Sequence, residues 1–256
     1  NNPFEPDFNK ILEEATFFKE LLGQDRVVIK VPHTGPVNAD NVGQLLTGDG
    51  RLDRRYWQPA TEDALRGHNL TLKLTEAGFR INYTLMFEGY QTQLALQARP
   101  YFINSFIRHR LMQSEKMVAL LARVDGGDVD AAAELSDYML STDYLASTDA
   151  GLDPEEAVAR ARTIIAYRHI TDDEGSDGLD SVRHNLRLLR NANLPDTRLI
   201  ICSMEGDHNY PDIDNLLASD EFSDMADRVV VTAEPAYLAR FTSTNQVISY
   251  QRRFMK

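Results

Sequence analysis

The sequence is 256 residues long, 43% apolar and 26% charged, which is typical of a water-soluble folded protein. Its formal charge is −12 and its pI is about 4.9, so we expect neither nucleic acid nor an anionic membrane as a partner, because both would repel it. The one cysteine excludes an intrachain disulfide and a cysteine-rich zinc site, and no apolar run approaches the roughly 20 residues needed to cross a bilayer. The first ten residues also lack the pattern of a secretory signal, and we expect a cytoplasmic protein.

The first part of the chain alternates amphipathic helices with short apolar strands. A helix is predicted at residues 7–22, where the apolar positions fall on one helical face. It is followed by an aliphatic strand at residues 27–31, which Pro32 ends. After a polar, turn-rich stretch, a helix at about residues 62–76 leads into a second strand at residues 80–87.

The alternation continues to the last strand. The remaining elements, in chain order, are predicted to be a helix at 91–97, a strand at 101–104, helices at 112–124, 129–140 and 155–169, an acidic loop at 172–180, a helix at 179–191, and strands at 197–203 and 228–232. The third of these long helices has a typical start signal, because Asp153 and Pro154 precede it.

This order predicts an α/β protein with a parallel sheet, because short crossovers from strand to helix to strand align successive strands. We predict a single domain over residues 1–256, with a helical insertion at about residues 109–171. Five strands are readable, whereas a barrel of the (β/α)8 TIM type needs eight. Either three strands precede Asn1, or the sheet is open.

Lys30 is notable because a charged side chain stands within an aliphatic strand. Side chains alternate along a strand, so Val28 and Lys30 share one face, and a parallel strand of this kind is expected to be covered on both faces. Burial lowers the pKa of a lysine, and a neutral amine can attack a carbonyl to form an imine. The alternative is a strand-end lysine whose ammonium group reaches solvent or pairs with a carboxylate.

Three segments in register resemble the transaldolase and fructose-6-phosphate aldolase family. Residues 29–34 look like its Lys-[IV]-Pro-x-Thr pattern on the fourth barrel strand, and residues 77–87 are similar to Gly-Ile-x-x-Asn-x-Thr-Leu-x-Phe on the fifth. Residues 101–106 resemble the sixth strand. The resemblance covers residues 7–110 well and the last two strands weakly. It implies a (β/α)8 barrel of which this chain carries the fourth to eighth strands.

The resemblance also implies roles for individual residues. The family's fourth-strand lysine forms a Schiff base, and Lys30 takes that place. The fifth-strand asparagine and threonine contact the substrate and a catalytic water, and Asn82 and Thr84 match them. Phe106 matches the phenylalanine of transaldolases, where fructose-6-phosphate aldolases carry tyrosine. Asn104 replaces the sixth-strand serine but can still bond a substrate hydroxyl.

The phosphate-binding positions depart from the family pattern. His109 stands where an arginine is expected, and Arg108 and Arg110 flank it. Either arginine could reach a phosphate after a small shift, or the cluster could be a solvent-exposed helix start. Near the seventh strand, Ser203 is kept for substrate binding, but Glu205 replaces an arginine and would repel a phosphate. The distal end of the substrate is therefore either unphosphorylated or held differently.

The implied function is that of a transaldolase, which transfers a dihydroxyacetone unit from a ketose to an aldehyde through the Lys30 Schiff base, in the carbohydrate metabolism of the pentose phosphate pathway. The expected partners are a sugar or sugar phosphate and further copies of the chain in a homo-oligomer. No cofactor or metal is expected, since the iminium nitrogen accepts the electrons that a metal would otherwise stabilise. The alternatives are an aldolase that releases the three-carbon unit to water, and an inactive barrel that binds a metabolite or a protein.

Overall fold

The computed structural model of the protein describes residues 5, 7–32, 65–142, 144–145, 149–202 and 209–232. The strands in these ranges are β1 (Val28–Pro32), β2 (Arg80–Thr84), β3 (Phe102–Phe106), β4 (Arg198–Cys202) and β5 (Val229–Thr232). The helices in these ranges are α1 (Phe8–Leu22), α2 (Arg66–Glu76), α3 (Gly89–Gln97), α4 (His109–Asp125), α5 (Ala131–Ser141), α6 (Pro154–Arg168), α7 (Asp180–Asn191) and α8 (Tyr210–Ala218). Short 3-10 turns, Gln24–Arg26 and Ser223–Arg228, precede β1 and β5.

Two helices begin at aspartates that cap them. The side chain of Asp7 accepts a hydrogen bond from the backbone N–H of Asn9 at 2.9 Å, at the start of α1. Asp153 accepts one from the N–H of Glu155 at 2.9 Å, and Pro154 occupies the first position of α6, where a missing N–H costs nothing. The start signal predicted for this helix is confirmed.

The five strands form one parallel sheet in the order β1-β2-β3-β4-β5, so each strand pairs with the next strand along the chain. The register places Lys30 opposite Asn82 and Asn82 opposite Phe102. Farther along, Phe102 lies opposite Arg198, and Cys202 lies opposite both Phe106 and Thr232. The predicted parallel sheet is confirmed, and the carboxyl ends of its strands meet at one edge.

The two faces of the sheet differ sharply in composition. One face is apolar and buried, and it carries Ile29, Val31, Ile81, Tyr83, Ile103, Leu199 and Ile201. The helix residues packed in the same cluster include Ile11, Leu74, Ala95, Leu186 and Ile213, from α1, α2, α3, α7 and α8. The opposite face is largely polar and includes Lys30, Asn82, Thr84, Asn104 and Arg198.

The helices that cover the sheet therefore lie on its apolar face. A sequential strand order with crossovers of one hand produces this arrangement, whereas a doubly wound sheet has helices on both faces. The described architecture is thus a parallel α/β sheet that is compatible with a TIM-like fold. The expectation that β1 is covered on both faces is wrong for the described residues, because burial alternates along it and Lys30 is exposed.

The helices α4, α5 and α6 form a second apolar cluster. They correspond to the three helices predicted between residues 112 and 169, which are confirmed. Their core is built from fully buried side chains, among them Met117, Leu120, Leu135, Met139, Ala157 and Ala161. This cluster shares no buried member with the cluster under the sheet, so the segment after β3 supplies its own core.

Two predictions about the elements differ from the structure. The strand predicted over residues 80–87 ends at Thr84, because Leu85 adopts a left-handed conformation (φ 56°) that a strand does not accommodate. Helix α8 was not predicted from the sequence. It has nine residues, of which Pro211 is the second, and its buried residues are Ile213 and Leu216.

None of the helices in the described ranges is both long enough and apolar enough to cross a bilayer.

Candidate active site on the polar face of the sheet

Lys30, Asn82 and Asn104 occupy three adjacent strands on the polar face. Lys30 and Asn82 are directly opposite each other in the pairing of β1 with β2. The side-chain amide of Asn104 donates a hydrogen bond to the amide oxygen of Asn82 at 3.0 Å. This bond fixes the orientation of the Asn82 side chain beside the lysine strand.

Thr84 lies two residues beyond Asn82 and shares its face, because side chains alternate along a strand. It is the last residue of β2 and is 5% exposed, while Asn104 is 3% exposed. An amide and a hydroxyl are thus buried close to the carboxyl edge of the sheet. In parallel α/β proteins this edge is where ligands bind.

Lys30 is exposed, and this corrects the expectation of a dry amine enclosed by strands. The physical reason is that the helices which bury Ile29 and Val31 all lie on the other face of β1. The sequence left two alternatives, a buried neutral amine and a lysine whose ammonium group reaches solvent or pairs with a carboxylate. The described residues show a lysine that reaches solvent. Its position opposite Asn82 is the one that the resemblance implies.

The pKa of Cys202, on β4, is affected by a charge on the same face of the sheet. Burial raises the pKa of its thiol to about 11, while the positive charge of Lys30 and a hydrogen bond with Thr232 act in the opposite direction. The charge on β1 therefore reaches a group on β4. With this pKa the thiol is protonated at neutral pH and is a poor nucleophile.

An aromatic stack stands at the carboxyl end of β3. The centre of the Phe87 ring lies 4.8 Å from the centre of the Phe106 ring and 4.7 Å from the centre of the His109 ring, and both pairs of rings are tilted. Phe106 shares the polar face with Asn104, two residues earlier on the same strand. The stack forms an apolar wall next to the buried amide and hydroxyl groups.

Arg108 lies at the start of α4 and is held by other parts of the chain. Its Nε donates to the carbonyl oxygen of Asp177 at 3.1 Å, and its two terminal nitrogens donate to Asn209 and Asp212. Its backbone adopts φ 57°, and its N–H donates to the carbonyl of Gly178 at 2.9 Å. All three nitrogens of the guanidinium group thus have protein partners.

Arg110 is the centre of a buried ion-pair network. Its terminal nitrogens donate to Glu88, at 2.7 Å, and to Asp180, and Arg168 donates to the same Glu88 at 3.2 Å. Burial by itself would lower the pKa of Arg110, but Asp180 and Glu88 outweigh it and hold the pKa above its usual value. The suggestion that this arginine belongs to a solvent-exposed basic cluster is wrong, since it is 8% exposed.

Gln91 was not identified from the sequence, although it organises the loop after β2. Its side-chain oxygen accepts from the backbone N–H groups of Phe87, at 2.7 Å, and Glu88, at 2.9 Å. Its side-chain nitrogen donates to the carbonyl of Leu85 at 3.1 Å. The available signal was the spacing of Glu88 and Gln91, which is typical of a helix start.

Several predicted features lie outside the described residues. These are Ser203, Glu205 and the polar stretch at residues 34–59. Within the described ranges, no group of three His, Cys, Asp or Glu side chains is placed to hold a metal ion.

No model of a known protein family matches the chain, and no curated protein sequence matches it.

Proposed function

We propose that the protein is a transaldolase-type enzyme in which Lys30 forms a Schiff base with a ketose. The observation that carries the proposal is the placement of Lys30, Asn82 and Asn104 on adjacent strands, with Thr84 next on the same face. Amine, amide and hydroxyl groups thus point from one surface near the carboxyl edge of a parallel sheet. The three strand motifs that resemble the family supply the same residues in the same order.

We propose further that β1 to β5 are the fourth to eighth strands of a (β/α)8 barrel, with the polar face on the inside. The sequential strand order supports this, as does the restriction of the covering helices to one face. The effect of Lys30 on Cys202, across β2 and β3, supports curvature of the sheet around its polar face. Closure of such a barrel requires three more strands between the edge strands β5 and β1.

In the proposed reaction, the amine nitrogen of Lys30 attacks the keto carbon of the donor sugar, and water leaves as the carbon–nitrogen double bond forms. The bond between the third and fourth carbons then breaks, and its electron pair moves into the iminium system. The fourth-carbon hydroxyl loses its proton as an aldehyde departs. The remaining three-carbon enamine adds to an acceptor aldehyde, and hydrolysis frees the new ketose.

The neighbouring side chains have distinct roles in this scheme. Asn82 orients a substrate hydroxyl, because its own oxygen is fixed by the donor group of Asn104. Thr84 positions the water that shuttles protons, as a hydroxyl can both donate and accept. Phe106 and the stacked ring of Phe87 exclude water from the carbon chain of the substrate.

The arginine contacts favour a donor sugar whose distal end is not held by Arg108 or Arg110. A phosphate would have to displace Asp212 and Asn209 from Arg108, or Glu88 and Asp180 from Arg110. A carboxylate displaced in this way would lose its cation, and an unpaired charge that stays buried costs on the order of 3–5 kcal/mol. An unphosphorylated ketose avoids this cost.

The second candidate is an inactive barrel that binds a metabolite. It is favoured by the exposure of Lys30, because the described residues provide no cover that would dehydrate the amine. The two candidates differ in whether a covalent adduct forms.

The test is borohydride trapping. The whole chain is incubated with dihydroxyacetone or fructose 6-phosphate, reduced, and measured by mass spectrometry. The proposal expects a reduced adduct that is lost in Lys30→Ala and retained in Lys116→Ala, a control lysine on α4. Erythrose 4-phosphate as acceptor then separates a transferase from an aldolase. Binding of either sugar without an adduct would establish the inactive barrel instead.

A further inference from the structure

A second cleft lies at the opposite end of the sheet from the candidate active site, at the amino ends of β2, β3 and β4. Its volume is about 460 Å³, within the range of roughly 300–1,000 Å³ that is usual for small-molecule sites. Three arginines line it: Arg80, Arg99 and Arg198. Arg80 begins β2, Arg99 precedes β3, and Arg198 begins β4. Such a concentration of cations is unexpected in a chain whose formal charge is −12.

The arginines converge on one aromatic ring. The guanidinium carbon of Arg80 lies 4.8 Å from the ring centre of Tyr101, and that of Arg198 lies 5.7 Å from the same centre. Two like charges are thus held near each other at the wall of the cleft. The ring of Tyr101 attracts both guanidinium groups, but it carries no negative charge that would neutralise them.

The carboxylates around the cleft do not balance these charges. Arg80 pairs with Asp25 at 3.2 Å, and that carboxylate is 89% exposed. Arg198 donates to the backbone carbonyl of Asp196, at 2.9 Å, which is a neutral acceptor. The exposed side chain of Arg99 has no hydrogen bond or ion pair recorded with the described residues. The lining thus contains three arginines and the carboxylate of Asp196, while Asp25 pairs with Arg80 from outside the lining.

Arg228 lies behind the loop at residues 194–197 and outside the lining of the cleft. Burial lowers the pKa of Arg228, the charge of Asp227 raises it, and the charge of Arg198 lowers it further. The guanidinium group of Arg228 donates to the carbonyls of Leu194 and Thr197, the latter at 2.9 Å. This contact fixes the loop that forms one wall of the cleft.

The opposite wall is also preformed. Arg99 adopts φ 51°, a left-handed conformation that is common just after the end of a helix and that costs a non-glycine residue free energy. The N–H of Arg99 donates to the carbonyl of Leu96 at 3.1 Å, which holds the residue at the end of α3. The strained backbone presents the Arg99 side chain at the mouth of the cleft.

We propose that this cleft is a second binding site, specific for a small molecule with a phosphate ester or polyphosphate group. Arg80, Arg99 and Arg198 are its cation set, because the planar guanidinium fork binds two phosphate oxygens at once. The site differs from the candidate active site in its position along the strands, since Arg80 and Arg198 begin β2 and β4, whereas Thr84 and Phe106 end β2 and β3.

The test is calorimetric titration of the whole chain with inorganic pyrophosphate at low ionic strength. The expected result is saturable binding at one site. Arg80→Ala should weaken it about tenfold, the loss expected for one charge-assisted hydrogen bond. Arg160→Ala is the matched control, because Arg80 and Arg160 both have side chains that are 42% exposed and Arg160 lies on α6. That variant should bind as the unmodified protein does.

A second variant separates binding from folding. Arg99→Gly removes a cation and also relieves the left-handed strain, so it should keep or raise the melting temperature while weakening pyrophosphate binding about tenfold. Lys30→Ala should leave the affinity unchanged, which distinguishes this cleft from the candidate active site. Absence of saturable binding, or affinities in Arg80→Ala and Arg99→Gly equal to that of the unmodified protein, would overturn the proposal.

Discussion

The ammonium group of Lys30 on β1 lowers the pKa of the Cys202 thiol on β4, against the larger effect of burial. Two further strands separate β1 from β4 in the sheet. The charge of Lys30 therefore acts on a thiol that is three strands away on the same face of the sheet. This relationship links the candidate nucleophile to the far side of the polar face.

The first prediction concerns the alkylation rate of Cys202. Since the pKa of the thiol is raised to about 11, the thiolate fraction and the rate with iodoacetamide should rise with pH toward that value. Lys30→Ala removes the cation that stabilises the thiolate, which raises the pKa of Cys202 further and should slow alkylation at any pH below that pKa. Lys30→Arg should restore the rate. Equal rates in all three proteins would show that the two side chains do not interact.

The same pKa shift has a consequence for stability. The folded protein disfavours the Cys202 thiolate, so the unfolded chain loses its thiol proton at a lower pH than the folded chain. Stability should therefore fall as pH rises from the unfolded pKa, about 8.5, toward 11. Cys202→Ala should remove this part of the pH dependence in urea unfolding measurements.

The next prediction concerns Gly178, whose backbone has φ 74° and lies against Arg108. A Cβ atom there would stand 2.6 Å from Cγ and 2.9 Å from Cα of that arginine. Gly178→Ala should therefore destabilise the fold by about 3 kcal/mol in urea unfolding, from the left-handed backbone and the steric clash together. Gly151→Ala is the control, because no atom of the described residues lies within 4 Å of its Cβ position. A loss equal to that of the control would contradict the packing described.

The sheet could be predicted from the sequence because its signal is local. Short apolar runs such as the one from Val28 to Val31 alternate with amphipathic helices, and these patterns depend on residues close in the chain. The shared face of Asn82 and Thr84 follows from strand geometry alone. Helix α8 gave too weak a signal, since only Ile213 and Leu216 are fully buried on it.

The environment of the candidate site could not be predicted, because it depends on distant parts of the chain. The exposure of Lys30 is decided by what covers the polar face, which the strand sequence does not contain. The partners of Arg110 are 22 residues away, at Glu88, and 70 residues away, at Asp180. A sequence pattern of neighbouring basic residues therefore suggested an anion site, whereas the fold brings carboxylates to Arg110.

A further prediction concerns Gln91, which binds three backbone groups of the loop after Thr84. Gln91→Leu keeps a side chain of similar size but leaves the N–H groups of Phe87 and Glu88 without their acceptor. The expected loss of stability is about 2–3 kcal/mol, the cost of burying unsatisfied donors. Gln93→Leu, at an exposed position of the same helix, should have little effect. Similar unfolding midpoints for the two variants would mean that solvent replaces these bonds.

The last prediction concerns the buried pair of Arg110 and Asp180. Arg110→Met removes the cation and leaves the Asp180 carboxylate, which is 10% exposed, without its ion-pair partner. The expected cost at neutral pH is about 3 kcal/mol, because an uncompensated charge stays buried. In this variant burial raises the folded-state pKa of Asp180 above its unfolded value, so the lost stability should be regained as the pH falls through that folded-state pKa. Arg123→Met, which breaks exposed pairs on the same helix, should change the stability little at any pH. A loss in Arg110→Met that did not shrink at low pH would assign the effect to packing rather than to charge.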